Sequence, residues 1–143
     1  ATRGPRLADV CDVSVGSLVA YREPLLGKRR AYLDARNRGS ERYVIPIEER
    51  PFRGRVVRPP FVVIGRTNAP ARGFGPRLRA TIVRGDRPVA VENHLLVLDP
   101  HDKTLRGCRA IVRTVEAQRA TTFLDARLRC RHLTVGAVEE IPR

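Results

Sequence analysis

The sequence has no methionine and no tryptophan, and aromatic residues fill only 5% of its 143 positions. So few rings leave little for stacking unpaired bases, which counts against a general reader of single-stranded nucleic acid. Lysine is almost missing: of 28 basic residues, only Lys28 and Lys103 are not arginine. Cys11, Cys108 and Cys130 and the three histidines (His94, His101, His132) are scattered, with no C-x-x-C and no ligand-spaced His pair. The pattern of a structural zinc site is therefore absent, and isolated thiols among apolar neighbours fit a reducing cytosol. Serine is limited to Ser14, Ser17 and Ser40, none of them in G-x-S-x-G, and no Gly-rich phosphate cradle occurs. Asp99, His101 and Asp102 make the nearest thing to a metal cluster, but followed by Lys103 they read as a polar turn. Cys130 and His132 fall at one helix end, and their spacing alone marks no catalytic pair. No apolar run approaches the ~20 residues of a membrane span, and no charged-then-apolar leader opens the chain. A start at Ala1 without methionine predicts a domain excised from a longer chain.

What is present is 42% hydrophobic residues, enough for one packed core, and a net charge of +13. That charge points to nucleic acid as partner, with an acidic membrane surface second. Guanidinium groups suit bidentate contacts to phosphate and to guanine; a GC-rich genome would also raise arginine over lysine.

Asp9 to Val15 alternates apolar and polar residues and predicts a half-buried strand closed by Gly16. Arg22 to Arg42 is polar, basic and broken by Pro24, Gly27 and Gly39, so it reads as a long loop with little regular structure. Tyr43 to Ile47 is a short edge-like strand interrupted by Pro46. Phe61 to Gly65, after Pro59-Pro60, is the most apolar run and predicts a central strand. Arg66 to Arg77 is a second basic loop. Strands follow at Leu78–Val83, Val89–Val91 and His94–Leu98. Leu105, Cys108, Ile111, Val112 and Val115 recur at helical spacing, so Thr104–Gln118 is a helix capped by Thr104. A second helix runs from Thr121 to Arg131, with Phe123, Leu124 and Leu128 inward. The expected fold is α+β: a twisted, mostly antiparallel β-rich part (1–98) with long basic loops, then a part with two helices (99–143).

Four stretches carry a family resemblance. Leu7 to Val19 resembles the strand-Gly entry of target recognition domains, found in adenine-specific DNA methyltransferases and in specificity subunits of type I restriction systems. Pro60-Phe61-Val62-Val63-Ile64-Gly65-Arg66-Thr67-Asn68 resembles their strand followed by an Arg-Thr-Ser/Asn loop. Pro88 to Leu98 is similar to their Val-x-Asn-x-Leu-x-x-Leu strand pair, and Phe123 to Pro142 to their closing segment. Tyr21-Arg22-Glu23-Pro24 departs from the Thr-Gly-Arg/Asn turn of the wider group. Arg58-Pro59-Pro60-Phe61 imitates a methyltransferase Asn-Pro-Pro-Tyr/Phe motif, but an arginine has no acceptor for the target amine.

The resemblance implies bacterial restriction-modification and phage defence in the cytoplasm. Double-stranded DNA is the implied partner, together with a methyltransferase catalytic domain in cis or in trans. No cofactor is expected in this chain; S-adenosylmethionine would sit on the catalytic domain, which acts on an adenine flipped from the duplex. Arg66, Thr67, Asn68 and Arg72, directly after the most apolar strand, are the candidates for base contact. Arg22, Lys28, Arg29, Arg30, Arg36, Arg38 and Arg77 are the candidates for phosphate contact. Asn93, His94 and His132 read as structural. A general RNA-binding or ribosome-associated module and a compact nuclease are the other function classes compatible with this composition.

Overall fold

Phe61, Val62, Val63 and Ile64 are all buried, and an unbroken apolar run of this kind needs cover on both faces. The computed structural model, which describes residues 4–67, 75–128 and 132–143, supplies that cover. Its strands are β1 (Cys11–Val15), β2 (Arg29–Leu33), β3 (Tyr43–Val44), β4 (Glu49–Pro51), β5 (Phe61–Gly65), β6 (Ala80–Val83), β7 (Val89–Val91) and β8 (Leu95–Pro100). Its helices are α1 (Leu105–Glu116), α2 (Gln118–Arg127) and α3 (Val135–Glu139). Five strands form one sheet in the order β1-β8-β5-β6-β3, with β5 at its centre, and three form a second in the order β4-β2-β7. All pairings are antiparallel except β3 with β6 and β2 with β7.

Alternation along the strands divides the core between the two faces of the large sheet. Val62, Ile64, Ile82, Leu96 and Leu98 pack against the helices through Cys108, Ile111, Val115 and Leu124. Phe61, Val63, Val83, Leu95 and Val97 face the small sheet through Ala31, Leu33, Val89 and Val91. The result is the expected α+β arrangement in three layers: helices, large sheet, small sheet. Phe61, the last residue of the methyltransferase-like fragment, is a core residue. Cys11 and Cys108 are buried free thiols, pushed up by burial to about 12 and about 11; Cys130 lies outside the described residues.

Thr104 caps α1 as its position suggests, its hydroxyl accepting from Gly107 N at 2.9 Å. Other expectations shift. The stretch 22–42, read as loop, contains β2, a strand whose inward residues are only Ala31 and Leu33. β4 and the five-residue α3 are additional, and Thr134 caps α3 through Ala137 N. α2 begins at Gln118, not Thr121; Leu124 is buried, and Phe123 and Leu128 pack partly buried against the core. Arg129 and Arg131 lie outside the described residues.

Two charged side chains tie helices to the large sheet. The Arg77 side chain is 0% exposed and donates to Asp125 (3.2 Å) and to the Leu128 carbonyl (2.9 Å), while its amide donates to the Thr121 hydroxyl. It fastens α2 to the chain entering β6, so the phosphate contact expected of Arg77 gives way to a structural role: a guanidinium this deep presents no face to DNA. Glu116, at the end of α1, accepts from both Arg42 terminal nitrogens (2.6 and 2.8 Å) and from the Ala80 amide (2.8 Å). Burial alone would raise its carboxyl; the bonds from Arg42 and Ala80 outweigh that and hold it below the usual carboxylate range. Segments near the two ends of the sequence meet beside β1, with Leu7 N bonded to Ile141 O (2.9 Å) and Arg143 N to Pro5 O (3.1 Å).

Removing Arg77 takes a fully buried guanidinium, with its bonds to Asp125 and the Leu128 carbonyl, out of the seam between α2 and β6. Arg77→Ala should therefore lower unfolding free energy in urea by about 3 kcal/mol or more, whereas exposed Arg36→Ala should change it by less than about 0.5 kcal/mol. Because the folded Glu116 is depressed, its stabilisation is complete above the unfolded value near ~4.3 and fades as pH falls below that. Glu116→Gln should be less stable than wild type at neutral pH, and the difference should shrink when the denaturation midpoint is followed down to acid pH.

Candidate nucleic-acid interface

The strand registers bring four strand ends to one place. β2 runs parallel to β7 with Leu33 opposite Val91, so both end beside the turn Glu92–His94. β1 and β5 run antiparallel to β8, with Val15 opposite Leu96 and Gly65 opposite Leu95, so their ends reach the same turn. Backbone bonds lock this junction: Leu18 N to Val91 O, Glu92 N to Leu33 O, Asn93 N to Leu18 O, and Gly16 N to Leu95 O, each 2.9 Å. Gly16 permits the close approach, since a Cβ there would lie 2.1 Å from the Glu92 carbonyl oxygen.

Arg66 leaves β5 into this junction on a fixed backbone, its amide bonded to His94 O (2.9 Å) and its carbonyl to Leu133 N (2.8 Å). Thr67 is exposed and bridges to His132, so the start of the second basic loop is clamped between β8 and the segment after α2. The half-buried Arg66 guanidinium is only weakly engaged: Nη1 lies 3.5 Å from Asn93 O and Nε has no partner. Asn68 and Arg72 lie outside the described residues. The structural role expected of Asn93 is carried by its backbone, while the Oδ1 of its side chain is buried without a partner. His94 is exposed, with Nδ1 2.8 Å from the Glu92 carboxylate.

Of the phosphate candidates, Arg22 and Arg36 are exposed near this junction: Arg22 N bonds to Val19 O just after Leu18, and Arg36 follows β2, 3.8 Å from Asp34. Lys28, Arg29 and Arg30 stand at the opposite end of β2, about 13 Å away along the strand. Arg29 is paired with Glu49 at 3.2 Å, and Arg30 is half-buried. Arg38 is only 8% exposed and donates to the Arg79 carbonyl at 3.0 Å. Burial, then the neighbouring Arg79 charge, lowers its guanidinium to about 10. Burial removes Arg38, like Arg77, from the accessible set.

Sequence reasoning passed over Arg50, Arg53 and Arg55, although the run Arg50-Pro51-Phe52-Arg53-Gly54-Arg55 was a visible signal. Arg53 and Arg55 are exposed, and the Arg55 carbonyl accepts from the Ser17 hydroxyl at 2.7 Å, which places this run beside the junction. The charge is also wider than the loops, since Arg106, Arg109 and Arg113 line the exposed side of α1. Among the described residues, no three His, Cys, Asp or Glu side chains come together as a metal-holding group, and no helix is long and apolar enough to cross a membrane.

No protein-family model matches the chain, and no curated protein does. Solved structures do. The HsdS subunit from Thermoanaerobacter tengcongensis superposes with a TM-score of 0.53 at 17% identity, over 99% of this chain and 34% of that one. A chain from work on the "complex assembly and conformational transition of the type I R-M system" gives 0.54 at 16% identity, over 99% of this chain and 35% of that one. This chain thus spans about a third of the length of those it matches. From one end to the other, it has the fold of one portion of an HsdS subunit.

Proposed function

We propose that this chain is a target recognition domain of a type I restriction-modification specificity subunit and reads the sequence of double-stranded DNA. Fold likeness does not specify function by itself. The observation that carries the reading is the junction of four strand ends, where rigid backbone presents Arg66 with its guanidinium weakly engaged and exposed Arg22 and Arg36 beside it. A guanidinium on a fixed strand end suits the guanine edge, and exposed arginines around it suit phosphates.

In this reading Arg66 and Thr67, with Asn68 and Arg72 further along the loop, contact bases. Arg22, Arg36, Lys28, Arg29 and Arg30 contact the backbone, and the buried Arg38 and Arg77 do not. A methyltransferase catalytic domain, in cis or in trans, modifies an adenine flipped from the duplex. S-adenosylmethionine belongs to that domain, and no residue of this chain is assigned to it. Such a system works in the cytoplasm of a bacterium, in defence against phage.

Duplex affinity should fall steeply with salt: contact with ~6 phosphates gives a log-log slope of about −5. Affinity that ignores salt, or structured RNA outcompeting duplex DNA, would sink the reading. Selection from a random duplex library should yield a preferred sequence for the wild type. Arg66→Ala should flatten that preference at one position by about 1 to 3 kcal/mol, whereas Arg36→Ala should weaken all duplexes alike. Identical behaviour of the two variants would show that the assignment of reading and gripping residues is wrong.

A further inference from the structure

The outer face of the small sheet carries a feature that goes beyond the backbone contact already assigned to Arg30. On β2 and β4, Arg30 and Arg50 are directly opposed in register, so two guanidinium stems lie side by side on one face. Like charges in that position repel. Both are half-buried, and the Nε of each is buried without a partner. Glu48, two residues along the same face, accepts from the Tyr32 hydroxyl at 2.7 Å and gives Arg50 no hydrogen bond.

The loop 19–28 rises beside this face. It is anchored at both ends: Leu18 is fully buried with Phe52 and Ala90, and Gly27, at φ +105, sits against the Phe52 carbonyl, where a Cβ would come within 2.9 Å. Between these anchors three large apolar side chains point to solvent, Tyr21 80%, Leu25 68% and Leu26 53% exposed. The Arg22 guanidinium lies over the Tyr21 ring at 5.5 Å, and Lys28, Arg53 and Arg55 are exposed nearby, against the single half-buried carboxylate Glu23 within the loop. An apolar centre rimmed by cations mirrors a duplex, whose stacked bases lie between rows of phosphates. Anchoring at both ends fixes where the loop leaves and rejoins the fold.

We propose that this face is a second DNA-engaging surface, in which Arg30 and Arg50 clamp one phosphate and the Tyr21–Leu26 tip enters a base step as a wedge. The inference rests on the reading of the chain as a duplex binder and adds a way of deforming the DNA it reads. A phosphate between the two guanidiniums, met by their terminal nitrogens, relieves their repulsion. Insertion of the tip unstacks a step and bends the duplex around the protein.

The test uses the 143-residue chain with duplexes carrying 2-aminopurine at successive positions, alongside anisotropy titrations over a salt series. Wild type should brighten 2-aminopurine at one step. Leu25→Ser/Leu26→Ser, changed only at exposed positions, should abolish that brightening and weaken binding about tenfold. Arg30→Gln/Arg50→Gln should reduce the salt slope by about 1 while the thermal midpoint holds or rises, because a repulsion is removed. A falling midpoint with an unchanged slope would show the pair to be structural and overturn the clamp. If wild type binds duplex but both double variants match it in affinity and slope, the second surface is wrong, Arg30 leaves the set of backbone contacts, and the reading of DNA at the junction stands. If wild type binds no duplex, both fall together.

Discussion

The backbone between Val91 and Leu95 holds this molecule together. Within five residues it bonds to Leu18, to Leu33, to Arg66 and to Gly16, drawing strand ends from both sheets into one knot. Peptide groups buried here have no water to bond, so each donor must find a carbonyl in a particular neighbour. That requirement sets how the small sheet sits on the large one and where each long loop departs. It also demands glycine at position 16, because the approaching carbonyl of Glu92 leaves no volume for a side chain. Recognition chemistry needs side chains on a base that does not shift, and a knot of main-chain bonds provides one independently of which side chains project from it.

Arginine does two kinds of work in this chain, and sequence separates them poorly. Arg77 and Arg38 are buried and donate to carbonyls of distant segments, while Arg42 is half of a clamp on Glu116. Arg22, Arg36, Arg53 and Arg55 stand in water. Both kinds occur in the same breaker-rich, basic stretches, so composition treats them as one population. Five planar donors on a long stem let a single residue cross from one layer to another and satisfy several acceptors. At position 77 one terminal nitrogen serves both Asp125 and the Leu128 carbonyl.

What could be read without coordinates follows from how local the determining physics is. α1 was legible because its cap, its spacing and its inward stripe all lie within Thr104 to Val115. β5 was legible because cover on both faces writes an unbroken apolar run. β2 was not: it contributes only two inward residues, Ala31 and Leu33, and its partners β4 and β7 lie about 20 and 60 positions away. α3, at five residues, is too short for a helical period to show. The site divides in the same way. That Arg66 follows a rigid strand was visible, but that Arg77 is buried depends on Asp125, 48 residues on, and that Arg30 faces Arg50 depends on a register that no local pattern encodes.

The meeting of the chain ends bears on how such a unit can be handled. Leu7 and Ile141 are hydrogen-bonded neighbours, and Arg143 returns to Pro5. A polypeptide carrying this domain enters and leaves it at almost one point. Splicing the domain into a surface turn of another protein therefore imposes little loop-closure entropy on the host, whose own ends at the splice need hardly separate. The same proximity lets the ends be joined and the chain reopened elsewhere without crossing the core. Topologically the domain behaves as a cassette.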